Sequence, residues 1–313
     1  MTEGRSGFRD PKVLFSFALI TLIWGSTWIV IKDQLGTVPP TWSIAYRFAI
    51  AGAGMFAYAF ATRAPLRMGW RGHLLAAAFG VPQFVLNFNF VYAAEHYVTS
   101  GLVAVVFALL MVPNSALAWL FLKHRMTGRF LVGSLVACCG VALLFAQEMR
   151  SSPASASEVA IGMGLTFLGV LGASAANVMQ ASAAMKARPV ATVLAWGMFY
   201  GVAANALLAF TWFGPPVFEA RAGYWIGLAY LGLVASAAAF TLYFGIIRAV
   251  GPGRAAYSSL VVPVVAMAIS TVAEGYRWTF LAAAGGMLAM IGMVIALTAS
   301  RARPQEPAPA PPA

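Results

Sequence analysis

The chain has 313 residues, 61% of them hydrophobic and only 9% charged, with a mean hydropathy of +0.81. Soluble domains carry nearer to about 25% charged residues, so a water-soluble enzyme or a nucleic-acid-binding domain is excluded as a description of the whole. The net charge of +11 would point to an acidic partner in a soluble protein; here its placement along the chain explains it instead.

A membrane-spanning helix needs about 20 mostly apolar residues. Ten such stretches are expected, at residues 13–31, 42–62, 74–93, 99–122, 129–146, 159–180, 190–212, 224–246, 255–273 and 279–299. Ten spans leave both termini on one face. The loops on that face then hold 15 basic residues, among them Arg5, Arg63, Arg129, Arg188 and Arg301, against four on the other, Lys32, Arg150, Arg221 and Arg277. By the positive-inside rule both termini are expected to be cytoplasmic.

Residues 1–12 read as a cytoplasmic tail. The first span is too long for a secretory leader and lacks a small-residue cleavage site; it carries LIWGSTWIVIK, in which Trp24, Thr27, Trp28 and Ile31 share one helical face. The second holds Arg47, the one charge well inside a span. An intramembrane guanidinium faces protein, water or a partner, and two roles stay open for it: bracing the bundle against carbonyls, or binding a carboxylate or phosphate. In the third span Gln83 and Asn87 share a face while Asn89 points elsewhere. Pro113 in the fourth removes a backbone hydrogen bond. Cys138 and Cys139 are adjacent in the fifth and are the only cysteines, so neither a disulfide nor a metal site is expected.

A polar seam, QEMRSSPASASE over 147–158, separates residues 13–146 from 159–299. Displacing the second block by 152 residues lays it over the first, with Gly101 on Gly253, Arg125 on Arg277 and Thr127 on Thr279. The predicted fold is therefore an all-α membrane protein of ten transmembrane helices in two repeats. Five helices per repeat is an odd number, which makes the second copy inverted. Residues 300–313 form a Pro/Ala-rich end expected to be disordered and cytoplasmic.

WGSTWIVIK, the VPP after it, YRFAIAG, GPGRAAYSSLVVPVVA and EGYRWT resemble the EamA-type branch of the drug/metabolite transporter superfamily over residues 13–299. The chain departs from the pattern at Met111, which stands opposite Pro263, and at Leu122, opposite Glu274. The resemblance implies a multi-pass carrier of the bacterial inner membrane that exports amino acids or similar small metabolites by alternating access. It further implies a cavity lined by Trp24, Trp28, Arg47, Asn87, Asn114, Asn177, Tyr243, Tyr257 and Ser258. Its partners would be a small-molecule substrate and the lipid bilayer, with no nucleic acid, cofactor or metal; oligomeric state stays open, a monomer included. Carriers of nucleotide sugars, phosphate esters or cationic drugs are the alternative, and a non-transporting membrane scaffold a more distant one. HExxH, GxSxG and CxxC are all missing from the sequence, so it does not read as an enzyme. The acids lie in tails, loops or helix ends, which predicts uncoupled flux, or weak coupling through Glu95 or Glu274.

Overall fold

The structure is a computed structural model and describes residues 11–123, 126–151, 155–180, 182–243 and 258–299. Among these there is no strand. Eight helices are long and apolar enough to cross a membrane. They are α1 (Pro11–Asp33), α2 (Pro40–Ala61), α3 (Trp70–Ala94), α4 (Ser100–Leu122), α5 (Gly128–Ser151), α6 (Ala156–Gln180), α7 (Val190–Phe213) and α8 (Ala222–Tyr243). Two more apolar helices follow, α9 (Ser258–Ala273) and α10 (Phe280–Ala299), whose apolar runs are shorter.

The bundle presents grease outward and keeps polar groups inside. Phe15, Phe60, Leu135, Phe210, Trp212 and Phe280 are exposed, while Arg47, Gln83, Asn87, Glu95 and Asn205 are buried. A bilayer leaves no other arrangement cheap, because an amide or charge facing lipid has no hydrogen-bond partner.

The polar seam is largely helical. α5 runs through to Ser151 and α6 begins at Ala156, because Gln147 and Glu148 are buried against the bundle rather than exposed in a loop. Ser155 and Glu158 close the start of α6 reciprocally: the Ser155 amide donates to Glu158 Oε2 at 2.7 Å, and the Glu158 amide donates to Ser155 Oγ at 3.3 Å.

Each helix of the first half finds its main partner in the second. α2 packs on α7, α5 on α10, α1 on α9, and α4 on α6. α3 contacts α6 and α7, while α8 contacts α1 and α2. Exchanging the halves returns the same contact scheme. The α5–α10 seam is built on glycines: Gly133 and Gly140 face Gly285 and Gly292, and each of the first pair lies 152 residues before one of the second. A Cβ on Gly140 would stand 2.6 Å from the Gly285 carbonyl oxygen, and one on Gly292 2.6 Å from that of Gly133. Only hydrogen at these positions lets the two backbones touch.

Two helices change their winding midway. α3 is π-helical over Val81–Leu86, and α8 over Tyr230–Ala238. α4 breaks at Leu109 and Leu110, four and three residues before Pro113, since proline has no N–H to return to the preceding turn and its ring crowds the carbonyl there. These three irregular helices surround the interior space described next.

Candidate functional site

A cavity of about 220 Å³ lies at the centre of the bundle. Eight of the nine residues expected to line it do so: Trp24, Trp28, Arg47, Asn87, Asn114, Asn177, Tyr243 and Ser258. Tyr257 lies outside the described residues. The face of α1 anticipated from its spacing is the face presented here, since Thr27 and Ile31 join Trp24 and Trp28 on the wall. Gln83 lines the cavity beside Asn87, whereas Asn89 turns away to accept from Thr41 Oγ1 at 2.8 Å and donate to Asn205 Oδ1 at 2.7 Å.

Of the two roles left open for Arg47, the structure shows the bracing one, made by a hydroxyl and two rings rather than by carbonyls. Arg47 is 2% exposed and sits seven residues into α2, about 10 Å along the axis at 1.5 Å per residue. Its Nε and Nη2 donate to Ser236 Oγ at 3.3 and 3.2 Å, and its Cζ lies 4.5 Å from the centre of the Phe88 ring and 5.4 Å from that of Phe48. That is a brace. Yet Nη1 is buried without a hydrogen bond of ordinary geometry, although the equally buried Tyr92 hydroxyl interacts with the guanidinium. Among the described residues the one ion pair is the exposed Arg221–Asp33 contact at 2.9 Å, so no carboxylate is paired with this guanidinium. A buried, partly unsatisfied cation is costly unless something else completes it.

The π-helical stretch of α8 explains how Ser236 comes to serve Arg47. Ser236 Oγ donates to the Leu231 carbonyl five residues back at 2.8 Å, which leaves its lone pairs free to accept from the guanidinium. One residue earlier the Ala235 carbonyl accepts from Trp24 Nε1 at 3.2 Å, tying α8 to α1. Wide turns of this kind loosen the regular ladder and release backbone groups to other partners. In α3 the same happens on the side away from the cavity, where Asn205 Nδ2 donates to the Phe84 carbonyl at 2.9 Å.

The walls are aromatic. Trp24 packs against Tyr243 and Phe240 with ring centres 5.1 and 5.9 Å apart, and Trp28 against Phe107 at 5.2 Å. Between them sit polar groups short of partners: Trp28 Nε1, Arg47 Nη1, Asn87 Oδ1 and Asn114 Oδ1 are all buried and unbonded. These four groups are two donors, one of them charged, and two acceptors. Ser236, which holds the guanidinium, was not foreseen; a lone hydroxyl in VASAAAF carries no signal beyond its polarity. Phe88, Phe107 and Phe240 were missed because ring residues in an apolar span give no hint of which neighbour they meet.

Acids occupy a second polar region at the end of the bundle next to this cavity. Glu95 caps α3 and is fully buried, and Glu148 in α5 is also buried. Glu274 accepts from the Ser100 amide at 3.3 Å, from the Ser100 hydroxyl, and from Ser270 Oγ at 2.6 Å. The expectation that acids sit at helix ends holds for Glu95 and Glu274; Glu95 lies inside the protein, whereas Glu274 is half-buried.

Comparison with known proteins agrees with this architecture. The EamA-like transporter family matches residues 11–146 and again 160–298. Protein PagO of Salmonella typhimurium is 23% identical over 292 residues, 92% of each chain. An inner membrane transporter of Escherichia coli, YedA, is 29% identical over 84% of each. A probable amino-acid metabolite efflux pump of Salmonella typhimurium is 23% identical, covering 92% of this chain and 96% of its own. A solved crystal structure superposes with a TM-score of 0.67 at 21% identity, over 93% of this chain and 99% of the other, and shares the fold. Apolar helices suited to crossing a bilayer, a central aromatic-walled cavity with a few polar groups and a family match along nearly the whole chain converge: this multi-pass membrane protein belongs to the EamA-like transporter family.

Proposed function

We propose that the protein is a secondary carrier of the bacterial inner membrane that exports amino acids or similar small amphipathic metabolites. Flux proceeds by alternating access through the central cavity, which lies between two inverted five-helix repeats, residues 13–146 and 159–299. The observation that carries the substrate class is the unused hydrogen-bonding capacity of the wall. A zwitterion brings a carboxylate for Arg47 Nη1 and Trp28 Nε1, and an ammonium group for the amide oxygens of Asn87 and Asn114. Trp24, Phe107 and Phe240 supply apolar surface for the rest of the solute. A single guanidinium favours a monoanion or zwitterion over a polyphosphate, whose several charges would leave the others unmatched.

The two-fold contact scheme and the double family match support the repeat reading, and the printed name of the Salmonella efflux pump supports the solute class. The positive-inside count supports ten spans with both termini in the cytoplasm. The test is counterflow of labelled amino acids into proteoliposomes. Arg47→Gln is expected to cut flux on the order of a hundred-fold, the cost of one charged hydrogen bond, while leaving the protein monodisperse. Full flux in that variant would overturn the assignment of Arg47.

A further inference from the structure

The acid-rich end of the bundle is not needed to bind solute, yet it holds two buried carboxyls, Glu95 and Glu148. Ile31 of α1 and Val91 of α3 line the cavity, and the next charged residues outward along those helices are Lys32 and Glu95. Lys32 Nζ donates to the backbone carbonyl of Glu95 and reaches that of Val98 at 3.4 Å. It thereby closes the carboxyl end of α3 and fastens α1 to it. A step away, Glu274 of the second half receives the Ser100 amide and hydroxyl at the start of α4. Side chains at this end of the bundle thus tie α1 to the end of α3 and the start of α4 to the end of α9.

The side chain of Glu95 takes no part in this bonding. It is 0% exposed, and neither carboxyl oxygen has a hydrogen-bond partner. An ionised carboxylate in that setting would be dry and unsatisfied, whereas a protonated one carries no charge to desolvate. We propose that Glu95 is a proton-binding site, and that its proton is bound when this end of the cavity is closed and released when it opens.

The surroundings act in the sense required. Burial holds the Glu95 carboxyl well above the usual carboxylate range; Lys32 of α1 opposes this, Glu274 of α9 reinforces it, and Arg47 of α2 opposes it more weakly. Tyr92 on its own helix also interacts with it, and Glu148 of α5 interacts with both Lys32 and Glu274. His96 follows it in the chain, beside Lys32. Opening lets water reach Glu95 and returns its affinity for protons toward the ordinary value. The closed form therefore binds one proton more than the open form, so acid favours closure and alkali opening. Transport then responds to pH although no carboxylate lines the cavity.

This inference rests on the proposed orientation, in which the Lys32–Glu95 end faces the outside. Its test uses the full chain in right-side-out vesicles, with Cys138→Ser and Cys139→Ser as background. A membrane-impermeant maleimide is added from outside, and its rate at Thr27→Cys in the cavity wall is divided by its rate at Phe218→Cys in an exposed loop, which cancels the pH dependence of thiol reactivity. The ratio is expected to fall about ten-fold from pH 8 to pH 6. Glu95→Gln, a mimic of the protonated acid, is expected to hold it low at both pH values. Lys32→Met, which removes the nearest opposing cation, is expected to move the midpoint to higher pH. A pH-independent ratio in the parent, or an unchanged pH response in Glu95→Gln, overturns the proposal. Failure of Phe218→Cys to react from outside instead overturns the orientation, and the same ratio taken from the opposite face then decides the proton site.

Discussion

The α5–α10 pair and the α3–α8 side of the bundle solve one problem in opposite ways. Where α5 meets α10, glycines let backbone lie on backbone, both ladders stay regular, and no polar side chain is required to hold them. Around α3 and α8 the ladders widen into π turns, and side chains such as Asn205 and Ser236 take up what the backbone releases. The first region is a weld. The second keeps its bonding in exchangeable side-chain contacts, which is where a carrier needs to move.

This contrast can be broken most forcefully at the weld. Gly140→Val places atoms where the Gly285 carbonyl already lies, so the helices must separate along their length. A loss of about 3 kcal/mol is expected from such overpacking, read as a large drop in the thermal unfolding midpoint of the detergent-purified protein; an unchanged midpoint would show that the seam is pliable. Next in size is Asn205→Ala, which removes donors to the Phe84 and Gly201 carbonyls and the acceptor used by Asn89. Leaving buried groups unmatched is expected to cost about 2 kcal/mol, with the loss smaller than at Gly140. The smallest effect should fall on Ser236→Ala. Arg47 then loses the hydroxyl that positions its Nε and Nη2, and a contribution of about 1 kcal/mol should appear as roughly a five-fold rise in the half-saturating solute concentration, with a smaller fall in the unfolding midpoint than at Asn205. A fall in the midpoint with no change in the half-saturating concentration would make Ser236 purely structural.

How far these features were legible depends on whether they repeat along a helix. That Trp24, Thr27, Trp28 and Ile31 share one face follows from helical spacing alone, as does the divergence of Asn87 from Asn89; that this face lines a cavity came, for Trp24 and Trp28, from the family resemblance. The glycines at the α5–α10 seam sit at the 152-residue displacement that relates the halves, so they too are visible once the repeat is seen. The π turns are not. VPQFVL has a proline to suggest irregularity, but YLGLVASAA has nothing of the kind, and the extra residue per turn is imposed by what packs against it. Burial of Glu95 and Glu148 was equally hidden, because hydropathy places an acid near a helix end without saying whether neighbouring helices extend past it. Arg47 was visible as an oddity, and only its neighbours show that it is held on one side and unsatisfied on the other.

The interlocked pairing of halves has a consequence for biogenesis. When the first five helices have been made, α2 still lacks α7, the glycine stripe of α5 has nothing to lie against, and Arg47 has no Ser236 to receive its hydrogens. The nascent chain must therefore sit in the bilayer half-clothed until synthesis of α10 is finished, with its most awkward charge waiting for shelter from residues not yet translated.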